Sequence, residues 1–120
     1  MRPRGEFEQV HKNGRAWPHR FFVLIVQSRP EAPIQPARVG VAAGKRLGPA
    51  VLRNRLKRKI RAALQQVYVN IADNTDVIVI ARAPIADATV AEVAKALTEQ
   101  LQRAQVWRAT VTPSRDNVTR

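Results

Sequence analysis

Residues 38–61 read RVGVAAGKRLGPAVLRNRLKRKIR and contain the pattern of a strand followed by the pattern of a helix. The first six residues, RVGVAA, are typical of a short strand. Gly48 and Pro49 then end the extended pattern, and proline at the first helical position loses no intrahelical hydrogen bond. From there to about residue 69 the apolar residues recur at helical spacing. The stretch therefore predicts a strand, a basic turn and a long amphipathic helix.

The first half of the predicted helix, RNRLKRKIR at residues 53–61, has six Lys or Arg residues in nine positions and no acidic residue. Like charges three and four residues apart destabilise a helix by roughly 0.2–0.5 kcal/mol per pair. A polyanion lying along the helix would replace that repulsion with the release of counterions. The alternative is a solvated helix face, but such a face ordinarily mixes the two signs of charge. The pattern therefore favours binding to RNA or DNA.

Four of the six cations are arginines, whose planar guanidinium groups bind phosphate bidentately and stack on bases. Asn54 lies between two of them and can reach a base edge or a 2′-hydroxyl. Two alternatives stay open for Asn54: an ordinary surface residue, or a cap-like role near the start of the helix.

The composition of the whole chain points to the same kind of partner. With 120 residues, the chain is long enough for one domain. It carries 21 Lys and Arg against 9 Asp and Glu, a formal net charge of +12, which favours nucleic acid or an anionic membrane as a partner. No acidic residue occurs between Glu31 and Asp73. The longest apolar runs are too short to span a bilayer, so we expect no membrane partner and a cytoplasmic protein.

The segments around the basic helix predict an α+β fold. We expect a flexible basic start at residues 1–5, a single domain over residues 6–105 and a C-terminal tail over residues 106–120. Inside the domain, residues 6–13 predict a short helix, and residues 19–27 predict a strand that pairs antiparallel with the strand at 38–43. Residues 76–82 predict a central strand, and a capping box of Thr89 and Glu92 begins a helix that ends near residue 104. The fold class is a two-layer sandwich of about three long helices on a small mixed, mainly antiparallel sheet.

No catalytic set of residues is visible in the sequence. The chain has no cysteine, which excludes disulfides, thiolate zinc sites and cysteine nucleophiles. His11 and His19 lack the spacing of a zinc site, and GKRLG at residues 44–48 lacks the spacing of a phosphate-binding loop. We expect no catalytic residue in this chain, so any bond breaking would be done by a partner.

Taken together, these segments resemble the protein subunit of bacterial ribonuclease P. The resemblance is strongest at residues 38–61, where a strand, a basic turn and the RNR helix follow one another. EFEQVHKNG at 6–14 resembles the family's first helix, and RFFVLIV at 20–26 its first long strand. DVIVIARAPIADAT at 76–89 resembles the strand after the RNR helix. The likeness covers about residues 6–105.

The resemblance implies a division of labour between protein and RNA. A large catalytic RNA with bound Mg²⁺ would hydrolyse precursor tRNA, and the protein, holding no cofactor of its own, would bind that RNA and the 5′ leader of the substrate. Phe7 and Phe22 would line a leader cleft. We expect one monomeric protein per RNA and a left-handed βαβ crossover. The residues expected to face the catalytic RNA are Arg53, Asn54, Arg55, Lys57, Arg58, Arg61, Lys45 and Arg46.

Two other functions compete with this interpretation. A ribosomal or general RNA-binding structural protein would need the same basic helix but would have no processing role. A protein-only nuclease would need a cluster of carboxylates, and the sequence has none.

The family often has aromatic residues where this chain has His11 and Ile25, so we expect weaker stacking on the leader. Whether the protein itself binds discrete metal ions stays open at this point.

Overall fold

Within the residues that the structure describes, the fold has four strands and two long helices. The computed structural model describes residues 14–29 and 33–107. Single 3₁₀ turns lie at Lys45–Leu47, Tyr68–Asn70 and Ala83–Asp87. The main elements, in chain order, are β1 (Arg15–Pro18), β2 (Phe22–Ser28), β3 (Arg38–Ala42), α1 (Ala50–Val67), β4 (Thr75–Ala81) and α2 (Val90–Arg103).

The four strands form one mixed sheet in the order β1-β2-β4-β3. β2 pairs antiparallel with both β1 and β4, whereas β3 runs parallel to β4. The predicted α+β class and the mixed, mainly antiparallel sheet are therefore confirmed. β4 lies in the interior of the sheet, as its continuous apolar run predicts.

The predicted antiparallel pairing of the second and third strands is wrong. β3 lies beside β4, and β4 separates it from β2. The reason is that α1 carries the chain back along the sheet between β3 and β4, so these two strands run in the same direction and form a βαβ unit. The left-handed sense of this crossover stays a prediction.

The hydrophobic core lies between the sheet and the two helices. Phe22, Leu24 and Val26 of β2 alternate toward it, as do Val77 and Val79 of β4. The opposite face of the sheet has a smaller apolar cluster formed by Ile25 and Ile78, with Val23 and Ile80 packed against it. Both faces of β2 and β4 are thus buried, which keeps these strands in the middle of the sheet.

Both long helices begin within one residue of the positions that their sequence signals predict. Pro49 is the N-cap of α1 and therefore stands one position before the first helical residue. The capping box of α2 is confirmed, because the Glu92 N–H donates to Thr89 Oγ1 at 3.0 Å and the Thr89 N–H donates to Glu92 Oε1 at 2.8 Å. The described residues contain two long helices rather than three, since the helix predicted at 6–13 lies outside them.

The folded domain extends past its predicted boundary at residue 105. Val106 is buried in the core, and its carbonyl accepts a hydrogen bond from the Ala72 N–H at 2.8 Å. Trp107 forms an antiparallel bridge with Ile71. The predicted flexible start at 1–5 and the remainder of the predicted tail, from residue 108, lie outside the described residues.

A buried carboxylate holds together the end of the sheet where β3 and β4 begin. Asp76 is 1% exposed and accepts two hydrogen bonds from Arg38, at 2.8 Å from Nε and 2.9 Å from Nη2. Arg29 Nε lies 3.0 Å from the same carboxylate. Burial alone would raise the pKa of Asp76, but hydrogen bonds and charge from Arg38, together with Arg29, outweigh it and hold that pKa below its ordinary value.

Candidate nucleic-acid interface

The connection between β3 and α1 places two exposed cations beside the start of the helix. After β3 the chain makes the 3₁₀ turn Lys45–Leu47, and Gly48 adopts a φ of +134°. A Cβ atom at Gly48 would lie 2.9 Å from Leu52 Cδ2, a side-chain methyl that can move, so it is the positive φ that favours glycine here. The turn leaves the Lys45 and Arg46 side chains exposed at the N-terminal end of α1.

The first turn of α1 adds to this positive potential. Pro49 provides no side-chain cap, and no acidic residue lies in the first turn. The unpaired N–H groups and the positive end of the helix dipole therefore act in the same direction as the nearby Lys and Arg charges. Arg53 is half-buried, and its Nε donates to the Gly48 carbonyl oxygen at 3.1 Å, which fixes its guanidinium group beside this turn.

α1 has one buried face and one basic face. Its buried residues are Leu56, Ile60, Ala63, Leu64 and Val67, which all belong to the core. Asn54, Arg58 and Arg61 are exposed and follow one another at spacings of four and three residues, so they form a row along the opposite face. Arg55 is exposed beside this row, and Lys57 is half-buried on its flank.

The cations of the basic face lack acidic partners in the part of the chain that the structure describes. Arg55, Lys57, Arg58 and Arg61 form no ion pair or hydrogen bond with any described side chain. The ion pairs in which both partners are described residues join Asp76 to Arg29 and Arg38, at the other end of the sheet. The like-charge repulsion expected from the sequence is therefore not relieved by neighbouring carboxylates among residues 14–29 and 33–107.

The structure brings the residues expected to face RNA into one region. Lys45, Arg46 and Arg53 surround the start of α1, and the other expected residues follow on the next turns. Asn54 lies inside the helix and not at its cap, so its cap-like alternative is wrong. Val51 is 68% exposed in the first turn and adds a small apolar area to this surface.

The aromatic residues expected in a leader cleft are placed differently. Phe7 lies outside the described residues. Phe22 is 0% exposed and packs in the core below the helices, so its ring offers no surface to a ligand. The physical reason is the alternation of β2, which turns Phe22 to the same side as Leu24 and Val26. The burial of Phe22 argues against the predicted contact between this ring and RNA.

Two further arginines lie at the same end of the sheet as the start of α1. Arg82 follows β4, and its Nη1 donates to the His19 carbonyl oxygen at 3.0 Å. The Arg20 guanidinium lies 5.7 Å from the centre of the Phe21 ring. Sequence reasoning missed both residues, because each is a single charge in its segment and only the strand register brings them together.

His19 packs against this group of residues. Its ring stacks on Phe22 with 4.9 Å between the ring centres, and its Nδ1 accepts from the Phe21 N–H at 3.0 Å. Burial lowers the pKa of His19, the Glu99 charge raises it by less, and the charges of Arg103 and Arg20 lower it further. A mainly neutral His19 at pH 7 fits its role as a hydrogen-bond acceptor.

Within residues 14–29 and 33–107, no three His, Asp or Glu side chains lie close enough together to hold a metal ion. No helix in those two ranges is long and apolar enough to cross a membrane. The site is therefore a surface defined by charge and shape, with Lys and Arg as its main functional groups.

Comparisons with known proteins identify the family to which this chain is similar. The family model described as Ribonuclease P matches residues 1–105. A ribonuclease P protein component from Geobacillus kaustophilus is 41% identical, over 82% of this chain and 79% of the relative. Another, from Herpetosiphon aurantiacus, is 38% identical over 98% of this chain and 93% of the relative.

Solved structures of ribonuclease P proteins have the same fold as this chain. The RNase P protein of Staphylococcus aureus, solved at 2.0 Å, is 32% identical with a TM-score of 0.74, covering 90% of this chain and 96% of that one. The RNase P protein of Thermotoga maritima, at 24% identity and a TM-score of 0.73, shares the fold and covers 86% of this chain and 94% of its own. These matches do not favour a ribosomal or general RNA-binding protein. The chain belongs to the ribonuclease P protein family and is the protein component of this ribonucleoprotein endoribonuclease.

Proposed function

We propose that the basic face of α1 and the turn before it bind the catalytic RNA of ribonuclease P. The observation that carries this proposal is a row of exposed cations without acidic partners among the described residues. RNA phosphates would neutralise this row, and the release of counterions would supply much of the binding free energy. The proposed contact residues are Arg53, Asn54, Arg55, Lys57, Arg58, Arg61, Lys45 and Arg46.

The contacts differ in kind along this surface. Arg55, Arg58 and Arg61 are exposed arginines that can each bind a phosphate through two parallel hydrogen bonds. Arg53 is already oriented by its bond to the Gly48 carbonyl, so less side-chain entropy is lost when it binds RNA. Asn54 lies in the same row and can reach a base edge or a 2′-hydroxyl.

The protein's part in the reaction is to bind and orient, and hydrolysis belongs to the RNA subunit. Mg²⁺ bound with the RNA subunit would supply the charge that activates the phosphodiester. Within residues 14–29 and 33–107, no three Asp, Glu or His side chains lie close enough together to hold a metal ion. A protein-only nuclease would need a cluster of carboxylates to hold its own metal ions.

The 5′ leader of precursor tRNA is the second proposed ligand. Phe7 stays a candidate for the leader cleft, whereas the buried Phe22 would support the cleft only by packing below it. We further propose one monomeric protein per RNA, a left-handed βαβ crossover and activity in the bacterial cytoplasm.

Reconstitution tests the proposed function. Purified protein is added to a transcribed bacterial ribonuclease P RNA at low Mg²⁺, and cleavage of leader-bearing precursor tRNA is measured with and without the protein. We expect a large increase in cleavage of the leader-bearing substrate. No increase would contradict the proposal and favour an RNA-binding role outside processing, whereas cleavage by the protein without the RNA would indicate a protein-only nuclease.

A further inference from the structure

Lys59 differs from the other cations of the basic segment because its ammonium group is bound within the protein. Its Nζ donates to the Ile85 carbonyl oxygen at 3.0 Å and to the Ala86 carbonyl oxygen at 3.1 Å. Both carbonyls belong to the 3₁₀ turn Ala83–Asp87, which follows β4. An ammonium group has three donors, so two of the three are used inside the molecule.

The direction of Lys59 on α1 explains this difference. At about 100° per residue, Lys57 and Lys59 point to opposite flanks of the helix, with the row of exposed arginines between them. The flank of Lys59 faces the turn Ala83–Asp87, whose Ile85 side chain is buried in the core. Lys57 forms no hydrogen bond or ion pair with a described residue.

The turn that Lys59 binds is also held on its other side. The Arg82 N–H donates to the Phe21 carbonyl oxygen at 3.0 Å, and its side chain donates to the carbonyl oxygen of His19. The Ile85 carbonyl accepts from the Ala88 N–H at 3.1 Å as well as from Lys59, so both of its lone pairs are used. Lys59 thus joins the RNA-binding helix to the exit of β4 and, through Arg82, to the β1–β2 connection.

We propose that Lys59 is a clamp between α1 and the turn Ala83–Asp87 and does not neutralise an RNA phosphate. Only one donor of the half-buried ammonium group remains for a phosphate, and a phosphate that accepted more than one N–H would cost a charge-assisted hydrogen bond to the turn. Lys57, the other lysine of α1, would bind a phosphate without that loss. The inference rests on the proposed function, since it divides the six cations of residues 53–61 into five for the RNA and one for the fold.

Lysine reactivity tests the clamp in the unmodified protein. The protein, free and bound to a transcribed ribonuclease P RNA, is treated with an acetylating reagent, and the modification rate of each lysine is measured by mass spectrometry. Lys95 is exposed on α2 and is the reference. We expect Lys59 to react several-fold more slowly than Lys95 in both states, while Lys57 reacts readily in the free protein and slowly in the complex. A Lys59 that is as reactive as Lys95 when free and protected only by RNA would overturn the inference.

The salt dependence of binding gives an independent test with a matched pair of variants. Each phosphate neutralised contributes about 0.7–0.9 to the slope of log affinity against log salt. Lys57→Met should lower this slope by about that amount, whereas Lys59→Met should leave the slope unchanged and lower the Tm by about 3–6 °C. Equal losses of slope in both variants would contradict the clamp. If the wild-type protein shows no RNA binding, the proposed function fails, and the free-state reactivity of Lys59 still decides whether the clamp exists.

Discussion

Replacing Arg58 with alanine should have opposite effects on folding and on RNA binding. Arg58 is exposed in the middle of the basic row, with Arg55 three residues before it and Arg61 three residues after it. It has no acidic partner among the described residues. Removing it relieves two like-charge pairs of roughly 0.2–0.5 kcal/mol each, so the free energy of unfolding should rise by about 0.4–1 kcal/mol. That increase corresponds to a Tm higher by about 2–4 °C.

The same substitution should weaken binding to the catalytic RNA. An arginine that contacts one phosphate bidentately is worth about 1–3 kcal/mol, which is about 5- to 150-fold in affinity at fixed salt. The slope of log affinity against log salt should also fall by about 0.7–0.9. Thermal melts of the free protein and RNA titrations over a range of salt concentrations measure the two effects on one preparation.

Gln65→Ala is the matched control for Arg58→Ala. Gln65 is exposed on the same face, seven residues further along α1, and carries no charge. Its replacement should leave both the RNA affinity and the salt slope unchanged. A stable Arg58→Ala variant with wild-type affinity would remove Arg58 from the interface. A variant with a lower Tm would contradict the claim that the helix is under unrelieved repulsion.

Three other substitutions test the parts of the fold that support this surface. Gly48→Ala should destabilise the protein by about 1–3 kcal/mol in denaturant titrations, because an L side chain is strained at its φ of +134°; an unchanged midpoint would contradict this. Asp76→Asn should cost about 3 kcal/mol at pH 7, since it leaves two arginines without their carboxylate. Because the pKa of Asp76 is lowered on folding, the difference from wild type should be complete above pH 3.8 and shrink as the pH falls below it; a difference that grows in acid would refute the assignment. Phe22→Ala should lower stability by about 3–5 kcal/mol, and a normal melt with weaker leader binding would instead place this ring in the cleft.

Local patterns predicted most of the elements but not the way the strands pair. Both helices were predicted because their apolar residues recur at helical spacing and because Thr89 and Glu92 form a local cap. β1 was missed, since a strand of four residues ending in Pro18 has too few positions to show alternation. The partner of β3 was predicted incorrectly because a proline-rich loop allows a hairpin, and only the packing of α1 across the sheet selects the parallel arrangement with β4.

The charged surface was predictable to the extent that it depends on one segment. A run of six cations without acidic residues defines the basic helix directly from the sequence. The role of Lys59 was not predictable, because its acceptors are backbone carbonyls 26 and 27 residues away, which no side-chain pattern reveals. Strand alternation predicts that Phe21 and Phe22 face opposite sides but does not say which side is the core, and in the structure Phe21 lies before β2 and also packs against the core. The helices supply that information when they cover the Phe22 side.

The most direct test of the proposed interface is to identify the RNA bound in cells and the peptide that contacts it. Cells that express the protein are irradiated to form cross-links, the protein is recovered, and both the attached RNA and the cross-linked peptide are sequenced. We expect ribonuclease P RNA to be the main RNA recovered, with cross-links concentrated at residues 45–61. Recovery of mainly ribosomal RNA, or of ribonuclease P RNA cross-linked elsewhere with residues 45–61 unmodified, would contradict the proposal that this basic helix binds the catalytic RNA.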